Sequence, residues 1–248
     1  MAGDVTIRIE RSFAAIAPDR WALLCGARRG ADGYNPFASH AFLSALEDSG
    51  SAVADTGWLG HHLLMEDAGG ALLGAIPCYL KSHSRGEYVF DQGWADAFER
   101  AGGRYYPKLQ SAFPFTPATG PRLMVAQGGN AGEVRPLLAG ALRQVTDQLG
   151  VSSAHATFLP PDELTAFVDA GYLHRTDQQF HFINPGYRDH EDFLDTLASR
   201  KRKALKKERR AALENGITIH RLTGSDLTEE IWDQFFAFYM DTGSRKWG

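Results

Sequence analysis

Residues 122–126 read RLMVA, residues 127–132 QGGNAG and residues 133–149 EVRPLLAGALRQVTDQL, and this succession decides the fold. The first run, Arg122 to Ala126, is a strand. The second, Gln127 to Gly132, is a glycine loop. The third, Glu133 to Leu149, is a helix that tolerates Pro136 in its first turn, where a missing N–H leaves no bond unmade. Downstream, Ser153 to Leu159 reads as a strand, Pro161 to Ala170 as a helix, and Tyr172 to Asn184 as a pair of strands turning near Asp177. Pro185 and Gly186 mark a boundary.

Upstream, Val5 to Glu10 alternates as a strand does, and Pro18 to Cys25 is a short helix. Ser39 caps a second helix whose buried face is Phe42, Leu43 and Leu46. His61 to Glu66 and Ala71 to Lys81, joined by Asp67 to Gly70, form an antiparallel hairpin with Pro77 at an edge or bulge. From Glu87 to Arg122 aromatic residues crowd among prolines and glycines. A helix from Asp91 to Arg100, a strand from Pro107 to Ala112 and an ordered loop from Pro114 to Pro121 are expected there. Rigid rings on such loops line binding clefts because little side-chain entropy is lost on binding; the same rings can instead cap a sheet.

After the boundary, Asp189 to Leu222 combines a helix, a basic run, a stop at Asn215 and Gly216, and a strand through Ile217, Ile219 and Leu222. Eight cations and one acid between Arg200 and Arg210 give that window +7 in a chain of net charge −4, so the remainder sums to −11. A positive stripe on an acidic protein attracts phosphate or carboxylate groups, or is simply a solvated face. A last helix, 226–242, carries a capping box at Asp226 and Glu229.

A chain of 248 residues with 44% hydrophobic content builds real cores in one large domain or two small ones. No apolar run approaches the roughly 18 residues of a membrane span, and the start of the chain lacks a signal peptide's apolar core. Cys25 and Cys78 are far apart in apolar segments, which suits reduced thiols and a cytoplasmic location. His61 and His62 point to opposite faces of a strand, and neither HisGluXXHis nor CysXXCys occurs, so no metal site is expected.

The order strand, two helices, antiparallel strands, strand, glycine loop, helix, strand, helix and two strands resembles the GNAT acyltransferase fold. In that family the loop before the helix holds a pyrophosphate on backbone N–H groups. Gln127 and Gly132 match the ends of the family's loop, and Asn130 stands where its inner glycine belongs. Residues 197–207 (LASRKRKALKK), with Gly216 and Ile217, are similar to a pattern of the Fem-type peptidyltransferases. Arg202 falls at the family arginine, Leu205 at the aliphatic position, and Lys206 and Lys207 at the basic pair. Phe115, Pro117, Gly120 and Pro121 resemble the aromatic, Pro, GlyPro loop of the first Fem domain. With residues 104–110 (RYYPKLQ) and 114–122 (PFTPATGPR), the chain most resembles the FemAB-like N-acyltransferases, a bacterial branch tied to peptidoglycan biosynthesis or recognition.

The resemblance implies an α/β (α+β) fold of two GNAT-like domains, each a mixed, mainly antiparallel sheet flanked by helices. The first would span residues 1–186. Residues 187–248 would begin an incomplete second, so the chain would be a fragment able to self-associate there. The implied activity is transfer of an acyl, aminoacyl or peptidyl group to an amine on a small molecule or peptidoglycan precursor. No tightly bound cofactor and no DNA are expected, and acyl-CoA or aminoacyl-tRNA would be the co-substrate. The alternative is a non-catalytic module that binds a phosphate-bearing ligand or RNA through the basic helix.

Direct attack by an amine needs a proton acceptor and a grip on the substrate, but no protein nucleophile. Asp91 and Asp96, beside Trp94, are the candidate proton acceptors; Asp91 is also placed to cap a helix. Arg202 is the candidate anion clamp, because a guanidinium binds such a group through two parallel hydrogen bonds, with Lys206 and Lys108 in support. Tyr105 and Tyr106 would shape the acceptor pocket, with Gly120 and Arg122 on the facing loop.

Overall fold

Pro77 cannot donate to a sheet ladder, and the chain changes sheets at that residue. The computed structural model describes residues 4–26 and 29–247. Its first strands are β1 (Val5–Glu10), β2 (Trp58–Gly60), β3 (His62–Asp67), β4 (Leu72–Ile76) and β5 (Cys78–Lys81). The expected hairpin is there, its turn closed by Asp67 Oδ1 accepting from Gly69 N and Ala71 N at 2.8 and 2.9 Å. Its arms, however, break at His61 and Pro77, where His61 N bonds the Cys78 carbonyl at 2.8 Å. Each arm therefore serves two sheets.

β6 (Lys108–Ser111), β7 (Met124–Val125) and β8 (Ala154–Ala156) complete them. One sheet, β1-β3-β4-β7, is wholly antiparallel; the other, β2-β5-β6-β8, is antiparallel except for its β6–β8 pair. The fold is mixed α+β with mainly antiparallel sheets flanked by helices, as the sequence suggests.

Period-two alternation splits the first sheet between two cores. On one face Leu63, Met65 and Ile76 pack with Leu138 and Leu142; on the other, Leu64, Ala75 and Met124 pack with Phe13, Trp21 and Leu43. The helices are α1 (Pro18–Ala22), α2 (His40–Asp48), α3 (Gln92–Arg100), α4 (Ala131–Leu149) and α5 (Pro161–Asp169). Ser39 Oγ caps α2 by accepting from Phe42 N at 3.2 Å. α4 lies against β4 at Gly74, where a Cβ would stand 2.7 Å from the Met124 carbonyl and 2.8 Å from Val134 Cγ1. Only glycine admits that approach. Full burial of Leu138 and Leu142 stabilises this packing by about 1.5–3 kcal/mol per side chain.

The chain divides into two units, the first ending at Asp177 and the second beginning at Gln178. The pair of strands expected over Tyr172 to Asn184 does not form. That segment has no regular structure, and Leu173, Phe180, Phe182 and Ile183 are exposed, so no ladder compensates its backbone.

The described residues of the second unit hold three α-helices: α6 (His190–Asp195), α7 (Ser199–Ala212) and α8 (Glu229–Trp247). The long basic helix is thus two, parted at Thr196–Ala198; Asp189 caps α6, and Asn215 ends the basic run at φ 71° as its type suggests. The strand expected at Ile217 to Leu222 is absent because no partner strand lies beside it among the described residues. Asp226 is no cap of α8: its carboxylate accepts from Thr223 N in a preceding turn, and Thr228 Oγ1 accepts from Ile231 N instead. Among the described residues, no helix is long and apolar enough to cross a membrane.

Candidate functional site

Directly opposed residues on paired strands share a face. The register Trp58↔Lys81↔Lys108 and Gly60↔Tyr79↔Gln110↔His155 therefore makes one face of the second sheet polar. Trp58, Tyr79, Lys81, Lys108 and Gln110 are all fully buried there. Two lysines opposed on neighbouring strands repel each other, and acids must come from elsewhere to hold them.

The segment leading into β6 supplies those acids. Lys108 Nζ donates to Ser84 Oγ at 2.8 Å, Glu87 Oε2 at 2.8 Å and Asp91 Oδ2 at 2.6 Å, which uses all three of its hydrogens. Tyr105 OH donates to Asp91 Oδ2 at 2.8 Å, and Tyr106 OH lies 2.8 Å from Ser84 Oγ. Asp91 occupies the N-cap position of α3, yet its side chain makes no cap bond and turns to Lys108 instead.

Glu87 Oε1 and Asp91 Oδ1 have no partner among the described residues. Burial pushes both carboxyls up. For Asp91 the hydrogen bonds from Lys108, Ser84 and Tyr105 outweigh it and hold the group below its ordinary range; for Glu87 burial prevails over Lys108 and the group sits above. The cluster thus pairs one carboxyl held below its ordinary range with one raised above it.

Lys81 lies beside this cluster with Nζ 3.4 Å from the centroid of the Trp58 ring and 3.3 Å from the Arg85 carbonyl it donates to. Burial pushes its ammonium down to about 7, against the pull of Glu87. His155, 2.9 Å from Ser153 Oγ, is pushed down to about 4 by burial and by Lys108.

Of the residues singled out from sequence, Asp91, Tyr105, Tyr106 and Lys108 come together. Asp96 and Trp94 stay on the exposed surface of α3, where the Arg175 guanidinium lies 4.8 Å from the Trp94 ring. Arg122 is fully buried and bonds the Thr157, Gly120, Pro121 and Ala118 carbonyls, so its guanidinium is committed to holding the 118–122 loop. Glu163 Oε2 accepts from Arg122 N and Leu123 N at 2.8 and 3.0 Å and fixes the same loop. A Cβ on Gly120 would meet Asn35 Nδ2 at 2.5 Å and Phe113 Cε2 at 2.6 Å.

Ser84, Glu87, Lys81 and Trp58 were missed in the sequence. The signal that could have found Glu87 was the pairing of Lys81 with Lys108, which demands a buried acid.

The loop before α4 is closed by its own side chains. Asn130 Oδ1 accepts from Gly132 N at 3.0 Å, Gln127 Nε2 donates to the Gly26 carbonyl at 2.6 Å, and Glu133 adds negative charge to the first turn. In the second unit, Arg202 Nη1 pairs with Asp195 at 3.0 Å and Lys206 with Glu191. Lys206, Arg209, Arg210 and His190 line an open depression of about 250 Å³.

A crystal structure of a Trypanosoma brucei acetyltransferase is similar to this chain at 11% identity and a TM-score of 0.42, over 73% of this chain and 100% of that one. No curated protein sequence matches. A family model described as peptidoglycan biosynthesis/recognition matches residues 12–248, a span that takes in the polar sheet face, its acids and the basic helix alike: the chain belongs to the FemAB-like family.

Proposed function

We propose that this chain takes part in transfer of an acyl, aminoacyl or peptidyl group to an amine on a cell-wall precursor. The observation that carries the reading is the family match over residues 12–248, and the buried acid pair around Lys108 supplies a chemistry for it. The amine nitrogen bonds to the acyl carbon, the bond to the leaving group breaks, and the proton leaving nitrogen passes to a carboxylate that later returns it to the leaving group. Glu87 suits that role better than Asp91, because its raised affinity for a proton and its unpartnered Oε1 leave it free to accept one. Asp91 and Tyr105 hold Lys108 in place beside it. In the second unit, Arg202 and Lys206 would exchange Asp195 and Glu191 for a phosphate or carboxylate of the substrate.

The donor is acyl-CoA or aminoacyl-tRNA. The Asn130 cap and Glu133 speak against a pyrophosphate at the loop before α4, which favours the second. Residues 1–186 and 187–248 are proposed as a GNAT-like domain and the start of another, in a cytoplasmic protein. The second reading, a recognition module for RNA or a phosphate-bearing ligand, draws on the exposed cations of α7, among them Arg200, Lys201, Lys203 and Lys207.

Both donors should be offered with peptidoglycan precursors to the wild type, Glu87→Gln and Arg202→Ala. Glu87→Gln should lower kcat by roughly 10²-fold or more while thermal unfolding shows a folded protein, and Arg202→Ala should act mainly on KM. Full transfer by Glu87→Gln would sink the assignment of the proton acceptor. No transfer with either donor, together with RNA retention that falls steeply with salt, would favour the recognition module.

A further inference from the structure

An open cleft of about 550 Å³ between residues 51–58 and the 83–85 turn plays no part in the transfer chemistry above. Its size falls in the roughly 300–1,000 Å³ range of small-molecule sites. We propose that it binds a zwitterionic, amino-acid-like ligand, with the ammonium at Asp55, the carboxylate at Arg85 and the side chain on the Phe115 ring.

Asp55 and Arg85 both line the cleft, both are exposed, and neither side chain has a partner among the described residues. They do not pair with each other. A simple anion would satisfy Arg85 but face the Asp55 carboxylate, and a simple cation would meet the reverse difficulty. A ligand carrying both charges satisfies both groups at once.

The cleft floor is also prepared. Phe115 is partly exposed and rests on Trp58, which is fully buried beneath it. The Trp58 ring is fixed by Lys81 at 3.4 Å, by an edge contact with Tyr79 at 5.3 Å and by Phe115 at 5.4 Å, so little order remains to be imposed on binding. Phe115 is held at φ 58°, a conformation that a non-glycine residue adopts at a cost and that recurs where a side chain must be aimed. His83 Nδ1 accepts from Arg85 N at 3.2 Å, so in the neutral ring the remaining hydrogen is on Nε2. Burial, Lys81 and Arg85 all favour that neutral ring, which adds no third charge to the two that select the ligand.

This proposal does not rest on transfer, because binding is measured without a donor. Alanine, leucine and phenylalanine of both hands, each also as the N-acetyl and the carboxamide derivative, would be titrated into the full chain by calorimetry and ligand-observed NMR. The free amino acids should bind, leucine and phenylalanine better than alanine, and removal of either charge should weaken binding at least tenfold. Asp55→Asn should remove the sensitivity to N-acetylation alone, and Arg85→Gln the sensitivity to amidation alone. Phe115→Ala, which removes the exposed ring, should weaken leucine and phenylalanine more than alanine. Asp55 and Arg85 lie on the surface, so their variants are expected to keep the wild-type unfolding temperature. Absence of binding by every free amino acid, or binding indifferent to both surface substitutions, would overturn the proposal.

Discussion

Lys81 is fully buried with one carbonyl partner and an indole face, while Lys108, its neighbour across the strands, has three oxygen partners. The ordinary lysine value is 10.5, and burial brings Lys81 down to about 7. Between those values the unfolded chain binds a proton that the folded chain does not, so stability should rise with pH above 7. At lower pH the folded state must carry the buried ammonium, and that cost is present in full. Each pKa unit corresponds to about 1.4 kcal/mol, so the gain from pH 7 to pH 9 should reach a few kcal/mol. Denaturant titrations at pH 6, 7, 8 and 9 should show this rise in the wild type and its loss in Lys81→Met. Parallel pH curves for the two proteins would show that Lys81 stays charged when folded. Part of this site was legible beforehand. Asp91, Tyr105 and Lys108 lie within one short segment whose composition stands out, and they converge. Lys81 and Trp58 were hidden because their meaning depends on register across strands, and Glu87 because nothing local tells a buried acid from a surface one.

At the scale of elements, β4 and α4 meet closely at Gly74. Gly74→Ala would place a methyl against a backbone carbonyl as well as against Val134, and a carbonyl cannot rotate away. Overpacking of that kind costs about 1–3 kcal/mol. The midpoint of chemical unfolding should fall accordingly with an unchanged m-value, and trimming the side chain in Gly74→Ala/Val134→Ala should recover little, since Met124 O remains. An unchanged midpoint would mean that α4 shifts without penalty. The helices and the β3–β4 hairpin could be read from caps, periodicity and the Asp67 turn, all of which are local. The change of sheet at Pro77 could not, because proline reports only that no ladder bond forms there and not which sheet takes the next residue. The strands expected at Tyr172 to Asn184 and Ile217 to Leu222 failed for a related reason: alternation describes a strand's faces, but a strand needs a neighbour, and alternation does not supply one.

For the whole molecule, the two hydrophobic cores draw their buried side chains from residues 13–167, all within the first unit. The first unit therefore contains the contacts it needs to fold. The connecting segment is different: Leu173, Phe180, Phe182 and Ile183 are exposed on chain without regular structure. A protease needs several residues in an extended form, which this segment offers and the exposed aromatics of α3 and α8 do not while their helices are intact. Chymotrypsin at low ratio should cut first at Leu173, Phe180 or Phe182, and mass spectrometry should find a stable fragment ending between 173 and 182. Because both cores stay inside it, that fragment should unfold in one cooperative step with the near-ultraviolet circular dichroism signal of buried Trp21 and Trp58 retained. First cuts among residues 84–120 would instead mean that the segment carrying Glu87 and Asp91 opens more easily than the connection between the units, and the buried acid pair would then lack the rigidity that its proposed chemistry requires.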